Sequence, residues 1–440
     1  MDRAQKRLVP FLILMYILAF LDRANVGFAK DALQMDVGIS DAAFALGAGI
    51  FFVGYAIFEV PSNIILHHVG ARRWLARIMI TWGLVAASFA LVKTETAFLA
   101  LRVLLGIAEA GFFPGIIYYV TFWFTMKRRS TVMGLFYLGV PLAFIFGSPL
   151  SGLLLELNGA LGLTGWQWMF MVEGLLASAV GVWAYWYLTD RPKDAKWMEK
   201  DQRESLQADL DEELRAMPAA GKKNILSAMT DPRVLLLCAI YFCIQASVYG
   251  VTFYLPTQVA KLMGQKVGFA VGVVAAIPWI CALIGNMTLP KISDRTGHRG
   301  TMAALLISCS GLGVIASTSD NPYLAIAALS VAAVGFFSCQ PIFWTMPSRF
   351  LSGVAAASAI GLINSVGNLG GFFAPNIRNF AEQFFNNSSA GLYILGASAL
   401  LCGVLFLASV KQGMGSRTTV NGEARPLMET ETPQAAGSEA

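Results

Sequence analysis

The sequence predicts an all-α membrane protein with twelve transmembrane helices arranged as two six-helix bundles. First, its 440 residues are 56% hydrophobic and only 13% charged, whereas soluble domains carry about 25% charged residues. Second, apolar stretches long enough to cross a bilayer recur along the whole chain. Third, a long polar stretch divides these apolar stretches into six and six.

Each predicted span approaches or exceeds the roughly 20 mainly apolar residues that a membrane helix needs. The twelve spans are residues 8–28, 42–66, 74–92, 97–124, 131–155, 168–188, 234–259, 267–289, 302–317, 323–346, 354–380 and 392–410. We therefore expect four regions along the chain. They are an N-terminal bundle (1–189), a cytoplasmic linker (190–230), a C-terminal bundle (231–411) and a disordered cytoplasmic tail (412–440).

The distribution of positive charge orients these spans, because cytoplasmic loops of membrane proteins are enriched in Lys and Arg. With both termini in the cytoplasm, most of the 32 Lys and Arg residues lie on the cytoplasmic side. The exceptions are Arg23 and Arg102 in the interior of spans, and Lys30, Lys93, Lys261, Lys266 and Arg378 at or beyond the opposite ends of spans. A miscounted span would reverse every later loop and remove this asymmetry, so the charges support the count.

Composition also argues against several classes of function. The net charge of +5 arises from short basic runs between apolar segments, which is not the pattern of a nucleic-acid-binding face. The six cysteines lie in apolar stretches without a C-x-x-C pair, as expected for small buried side chains. No metal-ligand cluster, nucleophile motif or phosphate-binding loop is present. We therefore expect no enzyme, no cofactor and no metal site.

Six plus six spans are typical of a two-bundle transporter, and charges inside the spans mark its expected site. Asp22 and Arg23 lie within the first span, where each charge costs about 2.5–3.5 kcal/mol on insertion scales. Arg102 and Glu109 of the fourth span are two helical turns apart, on nearly the same face. Neighbours on a helix diverge by about 100°, so only one of Asp22 and Arg23 can face a central cavity. The four groups could instead neutralise one another and hold the helices together.

Carboxylates in such surroundings can load and release a proton, because their proton affinity depends on solvent access and on nearby arginines. This property is what a proton-coupled carrier requires. Glu59 lies towards the cytoplasmic end of the second span and Glu173 near the extracellular end of the sixth, so both could reach water. They are further candidates for a proton site.

Neutral polar side chains complete the expected site, chiefly in the second half of the chain. A substrate needs hydrogen bonds and an apolar or aromatic surface in addition to charge. The candidates are Tyr55 in the second span, Gln245, Tyr249 and Tyr254 in the seventh, Trp344 in the tenth, and Asn364, Ser365 and Asn368 in the eleventh. Each of them could also serve helix packing alone.

A weak internal repeat follows the second span of each half. G-A-R-R (70–73) follows the second span, and S-D-R-T-G-H-R (293–299) occupies the equivalent place after the eighth. Asp294, Arg295 and Arg299 could be ordinary residues of a positively charged cytoplasmic loop. The same spacing also suits a loop that holds two helices together by ion pairs.

Six motifs of the first half form a specific set. They are F-L-D-R-A-N-V-G-F-A (20–29), V-P-S-N (60–63), G-A-R-R-W (70–74), R-V-L-L-G-I-A-E-A-G-F-F-P-G (102–115), G-W-Q-W-M-F-M-V-E-G (165–174) and L-T-D-R-P (188–192). Together they resemble the anion:cation symporter family of the major facilitator superfamily, especially bacterial permeases for tartrate, 4-hydroxyphenylacetate and phthalate-type acids. The resemblance covers residues 5–410. It implies proton-driven uptake of a small organic carboxylate by alternating access, in a monomer of the bacterial inner membrane.

The resemblance also implies roles for single residues. Arg23 would hold the substrate carboxylate, Asp22 and Glu109 would carry protons, and Arg102 would couple to Glu109. Tyr55, Trp344 and Asn364 match substrate contacts, to which we add Gln245 as a hydrogen-bonding candidate. The loop motif of the superfamily is intact after the eighth span as Asp294, Arg295, Gly297 and Arg299. In the equivalent loop after the second span, His67 stands at the position that corresponds to Asp294. A sodium-coupled or exchange-only anion carrier and a drug/proton antiporter remain as alternatives.

Overall fold

The computed structural model describes residues 2–216, 230–347 and 353–412. Within these ranges the chain forms helices joined by turns and short loops. Part of the predicted linker lies outside the described residues, as does the predicted tail after its first residue. The expectation of a disordered tail is therefore not addressed.

Nine helices precede residue 217. They are α1 (Asp2–Val37), α2 (Asp41–Val69), α3 (Ala71–Ser88), α4 (Glu95–Glu109), α5 (Phe112–Thr121), α6 (Met126–Tyr137), α7 (Gly139–Leu155), α8 (Gly165–Tyr187) and α9 (Lys200–Ala216).

The described residues after 229 form seven further helices. They are α10 (Pro232–Thr252), α11 (Leu255–Met263), α12 (Phe269–Thr296), α13 (Arg299–Ala316), α14 (Pro322–Phe343), α15 (Gly353–Phe384) and α16 (Ala390–Lys411).

Polar residues at the sequence positions just before these helices define where they begin. Ser40 and Thr94 accept hydrogen bonds from backbone N–H groups in the first turns of α2 and α4, and Thr164 forms a capping box with Gln167 at α8. Pro232 and Pro322 occupy first-turn positions, where a missing N–H costs nothing. The caps satisfy backbone donors at ends that lie between apolar spans.

Eleven segments among the described residues are long and apolar enough to cross a membrane. In this count, α4 with α5 and α6 with α7 each form one segment. The predicted span outside this count is the eleventh (354–380), which corresponds to α15, a helix of 32 residues with several Asn and Ser side chains. Large apolar side chains such as Phe146, Trp186 and Tyr323 are exposed on the outer surface, as expected for a surface that contacts lipid.

Three predicted spans are not continuous helices. The fourth breaks at Ala110 and Gly111, the fifth at Leu138 and the seventh at Phe253 and Tyr254. Gly111 has a φ of +85°, in the left-handed region that favours glycine. A helical hydrophobic pattern continues across such a break, so hydropathy alone does not detect it.

The helices of each half pack chiefly against one another. In the first half α3 packs on α8 and α2 on α4, while α1 contacts α7 and α8. In the second half α10 packs on α15 and α16, α12 on α14, and α13 on both α14 and α16. The two halves meet where α7 packs on α12 and where α2 packs on α15.

The seam between α7 and α12 is closed by backbone contact. A methyl group built on Gly152 would overlap the carbonyl of Gly268, and one built on Gly272 would overlap the carbonyl of Ser148. Glu156 also accepts a hydrogen bond from the backbone N–H of Phe269, at 2.8 Å. By the predicted orientation this seam lies on the extracellular side of the central cavity.

The predicted linker contains a helix that the sequence reading did not identify. Leu206 and Leu210 of α9 are buried against the bundle, and Arg129 forms an ion pair with Glu213 at 3.2 Å. Trp197, just before α9, stacks on Trp123 with ring centroids 5.4 Å apart. The part of the linker that the structure describes is therefore attached to the first half.

Candidate functional site

A central cavity lies between the two halves and draws its walls from both. Its empty volume is about 680 Å³, a figure that includes space open to solvent. The polar side chains in its walls include Tyr16, Arg23, Tyr55 and Tyr137 from the first half, and Tyr241, Gln245, Tyr249, Asn286, Gln340, Asn364 and Asn368 from the second. One cation thus stands among many neutral hydrogen-bonding groups.

Arg23 is the charged residue of the cavity wall, and its main partner is Glu109. Its Nε donates to Glu109 Oε1 at 2.8 Å, and its Nη2 donates to the same oxygen. Its Nη1 donates to the Tyr249 hydroxyl of α10 at 3.3 Å. The guanidinium also lies within 5.1 to 5.3 Å of the ring centroids of Phe20, Phe51 and Tyr55. Arg23 therefore connects the first half to the second across the cavity.

The break in the fourth span determines where Glu109 lies. Glu109 is the last residue of α4, directly before the turn at Ala110 and Gly111. A methyl group on Gly111 would collide with Ser62 of α2, so only glycine fits this close approach. Glu109 is completely buried, and its Oε2 has no hydrogen-bond partner among the described residues.

Asp22 and Arg23 face different sides of α1, as their adjacency requires. Asp22 accepts a hydrogen bond from Trp82 Nε1 at 2.8 Å and does not line the cavity. Asn25 Nδ2 lies 3.5 Å from Asp22 Oδ1 and donates to Glu173 Oε2 at 3.0 Å. Asp22 thus lies behind the cavity wall, inside the first half.

Glu173, which by its place near the end of a span could have reached water, is buried. Glu173 is 1% exposed, and Ser151 Oγ donates a hydrogen bond to its Oε1 at 2.7 Å. Glu173 is the ninth residue of α8, which is about 12 Å along the helix axis from its start. The sequence does not reveal that Asn25 of α1 and Ser151 of α7 bind this carboxylate.

Glu59 is likewise buried rather than open to water. Its carboxylate accepts hydrogen bonds from Asn364 Nδ2 at 3.1 Å and from Ser365 Oγ at 3.4 Å. These donors belong to α15 of the second half, so Glu59 links the two halves. Asn364 also lines the central cavity, which makes it a shared element of cavity wall and interface.

Among the described residues, Arg102 forms no hydrogen bond or ion pair with Glu109. It is 1% exposed and donates to the backbone carbonyls of Gly47 at 2.7 Å and Ala48 at 3.2 Å. The sequence placed Arg102 and Glu109 on nearly the same face of one helix, but these hydrogen bonds point to α2. Arg23 takes the position beside Glu109 instead.

The neutral candidates are divided between the cavity and its second layer. Tyr55, Gln245 and Asn364 line the cavity, whereas Trp344 packs edge-on against Tyr241 at 4.9 Å. Sequence reasoning missed several wall residues: Tyr16, Tyr137, Tyr241, Asn286 and Gln340. A polar residue in an apolar span was the available signal, but without the helix orientations it does not identify the cavity face.

The loop motif after the eighth span begins on a helix rather than in a loop. The predicted span ends at residue 289, but α12 continues to Thr296 and therefore includes Asp294 and Arg295. Gly297 ends the helix with a φ of +75°, and Arg299 forms an ion pair with Asp294 at 2.6 Å. In the first half, Asp190 accepts the backbone N–H of Arg72 at 2.8 Å. That contact lies just after α2, whose last turn carries His67 at the position that corresponds to Asp294.

These features define a multi-pass membrane transporter, with two helical halves around a central cavity that carries a buried ion pair. Solved transporter structures share this fold. A bacterial homologue of the human lysosomal transporter Spinster matches with a TM-score of 0.72 at 16% identity, covering 93% of this chain and 96% of that one. The Escherichia coli xylose transporter XylE matches with a TM-score of 0.71 at 13% identity, covering 92% and 99%.

The chain belongs to the Major Facilitator Superfamily, whose family profile matches residues 12–375. It is 48% identical over 399 residues to the "Inner membrane transport protein RhmT" of Escherichia coli, covering 90% of this chain and 91% of that protein. It is 43% identical over 403 residues to a "Putative tartrate transporter" of Agrobacterium vitis, with 91% and 89% covered. A "Quinolone resistance transporter" of Acinetobacter baumannii is 40% identical over 417 residues, with 94% and 96% covered.

Proposed function

We propose that this transporter imports a small organic carboxylate together with protons. The observation that carries the proposal is the ion pair between Arg23 and Glu109. It joins the cation that can bind a carboxylate to an acid that can take up a proton. Protonation of Glu109 and binding of the substrate then depend on each other, which is what coupling requires.

The cavity supports a carboxylate as the ligand. A guanidinium matches the two oxygens of a carboxylate in a bidentate hydrogen-bonded pair. Tyr55 and the aromatic rings around Arg23 supply an apolar surface, and Gln245 and Asn364 offer amides on the opposite wall. The relatives named for tartrate transport agree with this chemistry.

Coupling follows from the partners of Arg23. While Glu109 is ionised, its Oε1 occupies Nε and Nη2 of Arg23. A proton on Glu109 removes the charge that holds the pair, and the free guanidinium can take the substrate carboxylate instead. When the site opens to a cytoplasm of higher pH, Glu109 loses its proton, pairs again with Arg23 and displaces the substrate. Arg23 then also changes its contact with Tyr249 of the other half.

The remaining assignments accompany this cycle. Asp22 is a second proton-carrying acid, and Arg102 supports the fourth span through its bonds to α2. Both termini are cytoplasmic, the membrane is the bacterial inner membrane, and the carrier acts as a monomer. The pair of Asp294 and Arg299, with Arg295 and Gly297, holds α12 to α13 on the cytoplasmic side.

Uptake into proteoliposomes tests the proposal, with radiolabelled tartrate and a panel of aromatic acids as probes. We expect an inward proton gradient to drive accumulation of at least one acid, and replacement of sodium by choline to leave accumulation unchanged. Accumulation that requires sodium would instead support the sodium-coupled carrier. Exchange that does not depend on the proton gradient, without accumulation, would support the exchange-only carrier.

Efflux of a drug is the second candidate, and the quinolone resistance relative favours it. Quinolones carry a carboxylic acid, so Arg23 could serve either direction of transport. Cells that express the protein should accumulate less quinolone if efflux is its function, and a collapsed proton gradient should abolish the difference. Unchanged accumulation would eliminate this candidate.

A further inference from the structure

A pair of carboxyl groups lies inside the first half, outside the central cavity. Asp22 of α1 and Glu173 of α8 are 2% and 1% exposed, and neither lines the cavity wall. Asn25, one helical turn after Asp22 on the same face of α1, lies between them and is also 1% exposed. Its amide nitrogen is 3.5 Å from Asp22 Oδ1 and 3.0 Å from Glu173 Oε2.

The surroundings of this pair contain neutral donors but no basic partner. Trp82 Nε1 donates to Asp22, and Ser151 Oγ lies 2.7 Å from Glu173 Oε1. Among the described residues, no arginine or lysine forms a hydrogen bond or ion pair with either carboxyl. The charge of Glu109 on α4 also acts on Asp22, and because both groups are acids this interaction is repulsive. Arg23 is engaged with Glu109 instead.

Asp22 and Glu173 cannot both remain ionised in this buried position without a positive charge to compensate them. Burial of an unpaired charge is strongly unfavourable, and like charges that share a buried site raise the cost further. Protein sites of this kind respond by keeping a proton on one of the two acids. Both contacts of Asn25 are made by Nδ2, so this amide bridges the two carboxyl groups but brings no positive charge to compensate them.

We propose that Asp22 and Glu173 form a proton-holding pair, bridged by Asn25, that binds at least one proton in the state described. Asn25 Oδ1 has no hydrogen-bond partner among the described residues although the side chain is buried. With the amide turned over, Oδ1 takes the place of Nδ2, 3.0 Å from Glu173 Oε2, where it can accept the O–H of a protonated Glu173. Oxygen and nitrogen of an amide side chain are interchangeable in position, so this rotation needs no other rearrangement.

The pair adds Glu173 to the acids that take part in coupling, and this step rests on the proposed function. Asp22 precedes Arg23 in the chain, so a change of charge in the pair acts on the cation that binds the substrate. Glu173 touches neither Arg23 nor the cavity, and it is therefore a positioning residue for the proton on Asp22.

Infrared spectroscopy of the full chain in lipid vesicles tests the pair without any substrate. A protonated carboxyl has a carbonyl stretch that moves in D₂O and is absent from a carboxylate. We expect the double variant Asp22→Asn/Glu173→Gln to lose at least one such carboxyl per protein at neutral pH. Glu109→Gln, which removes an acid paired with arginine, should leave that band in place. An unchanged band in the double variant would overturn the proposal.

Milder variants keep the test decisive if the double variant fails to fold. Trp82→Phe removes the donor to Asp22, and Ser151→Ala removes the hydroxyl beside Glu173. At least one of these two should shift the frequency of the protonated-carboxyl band, because each changes a hydrogen bond of the pair. If neither shifts it, the proton lies elsewhere and the proposal is wrong.

A transport measurement tests the coupling step separately. Glu173→Gln should shift the pH profile of uptake by about one pH unit toward lower pH, since the remaining acid no longer has a charged neighbour that favours its proton. Counterflow exchange at saturating substrate should persist, and Glu204→Gln on the exposed side of α9 serves as the control. An unshifted profile would refute the role of Glu173 in coupling. Absence of proton-driven uptake by the unaltered protein would refute the proposed function instead and leave the infrared test intact.

Discussion

Arg23 and Glu109 form a buried ion pair in which two guanidinium nitrogens meet the same carboxylate oxygen. The second oxygen of Glu109 has no partner among the described residues. The third nitrogen of Arg23 contacts Tyr249 in the other half. One side chain thus connects a potential proton site, the cavity and the interface between the halves, and the account of transport depends on this connection.

Replacement of Arg23 by lysine tests whether the guanidinium binds the substrate. Arg23→Lys keeps the positive charge but loses the planar fork that matches a carboxylate. We expect substrate affinity to fall about 10- to 100-fold, which is about 1.4–2.7 kcal/mol, in isothermal titration calorimetry of the purified protein. Arg77→Lys is the matched control, since Arg77 lies over the Trp74 ring on the exposed side of α3. Unaltered affinity in Arg23→Lys would contradict its role as the carboxylate ligand.

The link between Glu59 and Asn364 should behave as one interaction. Hydrogen bonds to a charged group contribute about 1.5–3 kcal/mol, and Glu59 also accepts from Ser365. We expect Glu59→Ala and Asn364→Ala each to lower the unfolding temperature in detergent. The double variant should lie no lower than the more damaged single variant. Fully additive losses would show that the two side chains act independently.

The sequence predicted the helical membrane architecture and singled out Arg23 and Glu109, because a charge in an apolar span stands out against its neighbours. It did not predict the partners. Arg102 and Glu109 share a helix face, but the chain breaks at Gly111 and Arg102 turns to the carbonyls of α2. Which side chains meet depends on helix rotation and on breaks, which the hydrophobic pattern does not record.

Glu173 is a second residue whose surroundings could not be predicted from the sequence. Its distance from the start of its span suggested contact with water, whereas α1 and α7 provide Asn25 and Ser151 as partners. Long-range packing decided its environment. The loop motif after the eighth span was recognised by its spacing, but Asp294 and Arg295 belong to α12, because the helix continues beyond the apolar stretch.

A large residue at Gly152 should open the seam between α7 and α12. The site has no room for a side chain against the carbonyl of Gly268, so Gly152→Leu disfavours the closed arrangement. We expect a membrane-impermeant maleimide added from outside to label a cysteine at Val140 of the cavity wall faster, in a background without the six native cysteines. Gly134→Leu, at an exposed position of α6 with open space around it, should not change the rate. Slower labelling in Gly152→Leu would contradict the assignment of this seam to the extracellular side.

Gly111 should be sensitive even to a methyl group. Alanine in the left-handed region costs about 1–2 kcal/mol, and here it would also collide with Ser62. We expect Gly111→Ala to lower the unfolding temperature and to weaken transport, since the turn positions Glu109. Gly134→Ala is again the control and should be neutral. Equal unfolding temperatures for the two alanine variants would show that the turn does not require glycine.

The measurement that tests the central claim most directly is accumulation by Glu109→Gln in proteoliposomes. Glutamine keeps the shape of the side chain but cannot take up or release a proton. We expect this variant to exchange labelled for unlabelled substrate across the membrane while failing to accumulate it under an imposed proton gradient. Full gradient-driven accumulation by Glu109→Gln would show that the partner of Arg23 does not couple protons to transport.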